Sequence, residues 1–126
     1  MIRTHSLTAS YGTTASNDRH ELVADAPTDK GGAGAGFGAH ELLEASLAVC
    51  INMAVRMFAV ENSIALHGVS TRVSLSRTDP DITRFEYRLE LVGPLTDDQR
   101  KRLEAAAGNC PVRQTLSKRI EFQAQP

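Results

Sequence analysis

Residues 39–62 read AHELLEASLAVCINMAVRMFAVEN, and this stretch decides the fold. Four of its polar residues fall within about 120° of each other when residues are placed at about 100° intervals around a helix. These four are Glu41, Glu44, Asn52 and Arg56. Between residues 42 and 60, the long side chains on the rest of the circumference are apolar. A polar stripe this narrow predicts one long helix that is buried on most of its sides.

Short β-strands are predicted on either side of this helix. Before it, residues 2–9 and 20–25 favour strands, and the turn-rich stretch 11–17 between them predicts a hairpin. After it, residues 69–75 and 85–91 alternate apolar and polar side chains. Such alternation is typical of antiparallel strands that are covered on one face.

The C-terminal third predicts two helices and a final strand. Residues 96–99, TDDQ, form a capping box that begins a helix, and Gly108 ends it. Pro111 begins a second, short helix, because proline is favoured at the first helical position. Ile120 and Phe122 indicate a last strand. The predicted order is β-β-α-β-β-α-α-β, an α+β fold with antiparallel sheets around a long central helix.

The composition restricts the classes of function. The chain has 126 residues, which suggests a single domain spanning 1–126. Its 14 basic and 15 acidic residues nearly cancel, so neither nucleic acid nor an anionic membrane is an expected partner. The N-terminus lacks an apolar segment of signal-peptide length, and polar residues interrupt the apolar stretch 42–60, which argues against a transmembrane span. We therefore expect a cytoplasmic protein.

The two cysteines, Cys50 and Cys110, are the main candidates for chemistry, because cytoplasmic cysteines are rarely structural disulfides. Cys110 would cap the helix that begins at Pro111, where free amides and the helix dipole favour the thiolate. Cys50 lies mid-helix on the apolar face, where desolvation favours the neutral thiol, so its reactivity would require a nearby cation. The candidate cations are Arg19, His20, Arg56 and Arg113. An inert, buried cysteine is the alternative at either position.

Metal and nucleotide sites are not predicted. The four histidines share no metal-ligand spacing with each other or with the cysteines. Residues 34–39 match G-x-G-x-x-A before a helix, but a dinucleotide fingerprint requires a buried strand directly before it and a βαβ unit around it. We expect no cofactor and no metal, and we interpret the Gly-rich run as a flexible approach to the helix.

Three blocks of the sequence together resemble the OsmC/Ohr family, which is named for osmotically induced and organic hydroperoxide resistance proteins. They are residues 40–57, HELLEASLAVCINMAVRM, residues 95–100, LTDDQR, and residues 109–116, NCPVRQTL. These blocks are similar to the family patterns ELLLAALxxC…MxxRM, LxxxQR and CPVxxTL. Either cysteine block alone is weakly specific, whereas the two together, 60 residues apart, are far more so.

The resemblance implies an intertwined homodimer, in which each long helix lies against sheets from both chains. It also implies a chemistry in which Cys50 attacks an organic hydroperoxide and becomes a sulfenic acid. Cys110 then condenses with it to a disulfide, which a dithiol reductant, for example a lipoyl-bearing protein, reopens. An apolar wall beside Cys50 would suit an organic hydroperoxide better than hydrogen peroxide. The wall comprises Leu43, Leu47, Met53 and Met57.

The resemblance departs from the family at the residues that activate the first cysteine. Hydroperoxidase members pair an activating arginine with a glutamate ten residues before that cysteine. Here His40 occupies this position and Glu41 follows it, so Glu41 is expected to hold the guanidinium of Arg19, the best match for the arginine. The alternatives are an OsmC-like binding protein for an apolar small molecule without peroxidase activity, and a structural dimer with inert cysteines.

Overall fold

The computed structural model describes residues 1–126 and confirms the predicted α+β class, with a long helix and antiparallel sheets. Its elements are β1 (Arg3–Ser6), β2 (Thr13–Ser16), β3 (Glu21–Ala24), a 3-10 helix (Thr28–Lys30), α1 (Ala39–Glu61), β4 (Gly68–Ser76), β5 (Arg84–Val92), α2 (Asp97–Ala107) and α3 (Pro111–Leu116). The chain divides into two compact units, residues 1–43 and 44–126.

The first unit contains a three-stranded antiparallel sheet in the order β1-β2-β3. The predicted two-stranded hairpin is wrong, because residues 13–16, expected in the turn, form the middle strand. Two tight turns enclose this strand. One is closed by the Leu7 amide on the Gly12 carbonyl, and the other by the Asn17 amide on the His20 carbonyl.

The Gly-rich segment is an ordered loop around the buried carboxylate of Asp25, so the predicted flexible approach is wrong. This carboxylate accepts hydrogen bonds from the amides of Ala26, Ala33 and Ala35, at 2.8, 3.0 and 3.2 Å. The bond from Ala35 contributes most to lowering the pKa of Asp25, and desolvation opposes it. Glycine is required at position 36, because a Cβ there would collide with the Val23 carbonyl. Two amides of the Gly-rich segment, those of Ala33 and Ala35, thus donate to a carboxylate of the same chain.

The second unit packs one face of α1 against β4, β5 and α2. The observed helix, Ala39–Glu61, confirms the prediction for residues 39–62 to within one residue. Its buried residues recur every fourth position, and the two strands supply the alternating apolar face that was predicted. The buried core consists of Leu47, Ile51, Val55, Ala59, Ile64, Leu103, Ala107 and Cys110.

The polar stripe of α1 contacts β4. Glu44 accepts a hydrogen bond from the Leu75 amide at 2.8 Å, and the Asn52 side chain donates to the Val69 carbonyl at 3.0 Å. Because β4 pairs only with β5, the backbone groups along its other edge have no strand partner. The side chains of Glu44 and Asn52 form hydrogen bonds with two of these groups. Within one chain, the buried residues of α1 are those that recur every fourth position, so the prediction of a helix buried on most of its sides is wrong for the single chain. An outer apolar face, between 49% and 82% exposed, comprises Val49, Met53, Met57 and Val60.

The last predicted strand is wrong. Residues 119–126 form no helix or strand, and Ile120 and Phe122 are 54% and 95% exposed. No strand of the chain pairs with this segment, and a strand without a neighbour leaves its backbone groups unpaired.

By length and composition alone α1 could cross a membrane, but the core helices of soluble proteins pass the same test.

Candidate thiol site

The two cysteines lie together where α3 begins beside α1. Cys50 is half-buried in the middle of α1, and Cys110 is fully buried at the N-cap of α3. Both are free thiols, and they are close enough for Cys50 to perturb the ionisation of Cys110. The fold thus joins two residues that are 60 positions apart in the sequence.

A backbone amide of α3 is directed at Cys50. The Val112 N–H donates a hydrogen bond to the Cys50 sulfur at 3.4 Å. Val112 belongs to the first turn of α3, where amides have no partner within the helix. A donor pointed at a sulfur stabilises negative charge on it. One of the free amides expected to act on Cys110 therefore contacts Cys50 instead.

The surroundings of Cys110 disfavour a thiolate. Burial raises the pKa of the Cys110 thiol, and the neighbouring Cys50 raises it further, whereas the amide and guanidinium of Arg113 lower it. The amide of Arg113 is the backbone donor that acts on the Cys110 side chain, and it does not form a full capping hydrogen bond. The prediction that its cap position favours the thiolate is therefore wrong, because the side chain is buried in the core.

Arg19 and Glu41 are not joined in the structure. One carboxylate oxygen of Glu41 accepts a hydrogen bond from the Gly38 amide at 2.9 Å, which satisfies a free donor at the start of α1. Arg19 is exposed in the turn between β2 and β3, which is shaped by the Asn17 side chain accepting from the amides of Arg19 and His20. Neither Arg19 nor Glu41 takes part in the two ion pairs of the chain. The roles predicted for them stay predictions.

A family model described as OsmC-like protein matches residues 31–125, three quarters of the chain. The chain belongs to the OsmC-like family. A search of curated protein sequences found no match. Among solved structures, the OsmC-like protein of Mycoplasma pneumoniae is 22% identical with a TM-score of 0.77, over 92% of this chain and 85% of that chain.

Two further structures extend this likeness. A protein of Psychrobacter arcticus, provisionally described as an osmotic stress induced and detoxification response protein, is 25% identical with a TM-score of 0.69, over 88% of this chain and 89% of that one. The organic hydroperoxide resistance protein OhrB of Bacillus subtilis is 18% identical with a TM-score of 0.63, over 93% and 90%. OsmC-like proteins thus share this fold, and the family is associated with organic hydroperoxide resistance.

The other cations predicted for this OsmC-like chain occupy different places. Arg113 acts on Cys110, and its Nη1 lies 3.5 Å from the Tyr87 hydroxyl. Arg56 is exposed on α1 and lines a small pocket with His67. His20 is exposed in the β2–β3 turn. Arg113 is therefore the one of these three for which an effect on the thiol pair is found.

The apolar wall predicted for the OsmC-like site is divided by the fold. Leu47 is buried in the core, whereas Met53 and Met57 are 49% and 61% exposed on the outer face of α1. Val112 was missed by the sequence, because the group that contacts Cys50 is a backbone amide. No cluster of three or more histidine, cysteine or acidic residues is arranged to hold a metal ion.

Proposed function

We propose that this OsmC-like protein is a thiol-dependent peroxidase that reduces organic hydroperoxides. The Cys50 thiolate attacks a peroxide oxygen, so that an S–O bond forms, the O–O bond breaks and the alcohol leaves after taking up a proton. Cys110 then attacks the sulfur of the Cys50 sulfenic acid, which forms a disulfide and releases water. A dithiol reductant, for example a lipoyl-bearing protein, exchanges with the disulfide and restores both thiols.

The observation that carries this proposal is the pairing of two free thiols in unequal surroundings. A peroxide-reactive sulfur needs access to substrate and stabilised negative charge. Cys50 is half-buried and accepts the Val112 amide, while Cys110 is buried beside it and available to resolve a sulfenic acid. Membership of a family associated with organic hydroperoxide resistance supports the same chemistry.

We assign Arg19 as the cation that activates Cys50 and Glu41 as the carboxylate that orients it. The guanidinium of Arg19 makes no hydrogen bond or ion pair in the chain. Glu41 binds Gly38 through Oε1, so Oε2 is available to an arginine. A planar guanidinium pairs well with such a carboxylate, which would hold it in one orientation.

We propose that the functional protein is a homodimer. Val49, Met53, Met57 and Val60 form an outer apolar face on α1, and a second copy that covers it would remove this face from water. We further propose that residues 1–126 act as one domain and that the protein is cytoplasmic. The single domain is supported by a family match over residues 31–125, which continues across residues 43 and 44. Sedimentation should show a dimer at micromolar concentration, and a stable folded monomer would contradict this assembly.

Peroxide consumption in the presence of two kinds of reductant tests the enzymatic proposal. With cumene hydroperoxide, turnover should be supported by dihydrolipoamide better than by a monothiol such as glutathione, because a dithiol closes its own disulfide on release. The matched control is Cys50→Ser, which should not turn over. Failure of the reduced wild-type protein to consume peroxide with either reductant would exclude the proposal.

A binding protein for an apolar small molecule is the second candidate function. It is favoured by a groove of about 420 Å³ between α1 and α2, whose lining includes Met57, Phe58, Ala105 and Ala106. The raised pKa of Cys110 also fits an inert thiol. In this case an apolar fluorescent probe should bind the groove, the substitution Ala105→Phe should displace it, and neither thiol should react with peroxide.

A further inference from the structure

Arg113 reaches back from α3 to the end of α2. Its Nη1 lies 3.5 Å from the Tyr87 hydroxyl of β5, and a Cβ built on Gly108 would lie 3.3 Å from the same nitrogen. The guanidinium therefore packs against the glycine that ends α2 and against a strand of the sheet. Two elements, the end of α2 and β5, thus contact one side chain of the helix that begins after Cys110.

Two features favour a positive charge at this junction. The last carbonyls of α2 carry partial negative charge, and the Ala105 carbonyl oxygen would lie 3.5 Å from the same Gly108 Cβ. The Tyr87 hydroxyl can accept from the guanidinium. Because Gly108 has no side chain, the guanidinium can approach this helix end closely. The Arg113 side chain is thus positioned by its contacts with Tyr87 and Gly108.

Few charged groups act on Cys110. Cys50, on α1, opposes its ionisation, and Arg113, on α3, is the one cation that favours it. Tyr87, on β5, contacts Arg113 and is not among the groups that affect the thiol. Burial raises the pKa of Cys110, while the amide and guanidinium of Arg113 oppose this change.

We propose that Arg113, held by Tyr87 and Gly108, is the positioning residue for the second step, where its charge stabilises the Cys110 thiolate that attacks oxidised Cys50. The proposal rests on the function proposed above and deepens it. In this step the Cys110 sulfur forms the S–S bond, the S–O bond of Cys50 breaks, and the hydroxide that leaves takes up the proton lost by Cys110. The products are one disulfide and one water.

The two chemical steps can be measured separately. Reduced protein is mixed with cumene hydroperoxide and quenched at intervals with dimedone, which traps the sulfenic acid, and intact mass distinguishes the adduct from the disulfide. Arg113→Gln should slow disulfide formation about two- to fivefold at neutral pH, the size expected of a charge interaction near solvent. The rate of sulfenic acid formation should not change, and the deficit should shrink as the pH is raised.

Three further variants separate charge from structure. Arg113→Lys should restore most of the rate, because it keeps the charge, and Tyr87→Phe should give a smaller loss than Arg113→Gln. Lys118→Gln removes the same charge from the residues just after α3 and should leave both steps unchanged. Equal rates of disulfide formation in the wild-type protein and Arg113→Gln would overturn the role of Arg113.

A titration without peroxide keeps this proposal distinct from the proposed function. Ultraviolet thiolate absorbance in Cys50→Ser, after subtraction of the Cys50→Ser/Cys110→Ser spectrum, reports the ionisation of Cys110 alone. Adding Arg113→Gln should move the midpoint to higher pH, and an unmoved midpoint would overturn the charge effect. If wild-type protein forms no sulfenic acid, the proposed function fails, and the role of Arg113 in the second step fails with it.

Discussion

Cys50 and Cys110 lie in one site, but neither has the surroundings that its position in a helix predicts. Cys50 lies in the middle of a 23-residue helix and accepts a backbone amide. Cys110 begins a six-residue helix, yet it is 0% exposed, and the amide of Arg113 does not offset the effect of this burial. The amide of Val112 in the first turn of α3 points across to α1. Position within a helix therefore decides neither how deeply a thiol is buried nor which thiol a free amide contacts.

Removing each thiol should give the largest effects and the clearest contrast. Cys50→Ser should lower peroxide consumption by about two orders of magnitude or more, because a serine hydroxyl is a far weaker nucleophile than a thiolate. Cys110→Ser should still oxidise at Cys50 but stop at the sulfenic acid. Peroxide assays and intact mass of both variants check this. If the Cys50→Ser variant forms a sulfenic acid on Cys110, then Cys110 attacks the peroxide and the roles assigned to the two cysteines are reversed.

Changing the proposed activating pair should have the next largest effect. Arg19→Lys should lose about tenfold or more in the rate of Cys50 oxidation, because lysine cannot reproduce a bidentate pair with a carboxylate. Glu41→Gln should lose less, since its amide oxygen can still accept from Gly38 at the start of α1. Steady-state rates decide this, with folding checked by circular dichroism. If Arg19→Ala leaves Cys50 oxidation unchanged, the activating cation lies elsewhere, with Arg56 and Arg113 next.

Removing the amide directed at Cys50 should reduce the difference between the two thiols. Val112→Pro should slow Cys50 oxidation about fivefold, because a lost hydrogen bond of this kind costs about 1 kcal/mol. Proline is tolerated in the first turn of a helix, where the amide has no helical partner. Val112→Ala trims the same side chain but keeps the donor, and it is the matched control. Equal rates in these two variants would show that the amide has no effect.

The smallest effect concerns stability at alkaline pH. Because burial raises the pKa of Cys110 in the folded protein, folding favours the neutral thiol. This contribution is fully present below the ordinary thiol pKa and is lost as the pH rises through the raised value. Between about pH 8 and 10, the free energy of unfolding in urea should fall more steeply for the wild-type protein than for Cys110→Ala. Parallel declines would contradict the raised pKa.

Regular patterns over many residues made much of the fold predictable. Alternating side chains predicted β4 and β5, because this periodicity reports which face of a strand is buried. The narrow polar stripe predicted the helix α1 and its length, but it did not predict the exposed apolar face. Strand β2, with the sequence TTAS, has no such alternation, and it is extended because it pairs with both neighbours. Ile120 and Phe122 do alternate, but no strand in the chain lies beside them. The presence or absence of a neighbouring strand, which the local pattern does not report, therefore decided both errors.

The sequence could predict the cysteine side chains of the site, but neither its backbone donors nor its burial. The two cysteine motifs indicated that Cys50 and Cys110 act together, but the Val112 amide left no signal, since every residue other than proline carries one. The burial of Cys110 depends on how α1, α2 and α3 pack, which no local pattern reports. The loop around Asp25 was misread for the same reason, because its carboxylate binds backbone amides.

Intact mass after one equivalent of cumene hydroperoxide tests the central claim most directly. The reduced protein should lose the mass of two hydrogen atoms, and peptide mapping should find Cys50 linked to Cys110 within one chain. Prior reaction of the thiols with iodoacetamide should prevent this change. Protein that stays fully reduced, or that gains oxygen only on its methionines, would contradict the two-cysteine mechanism.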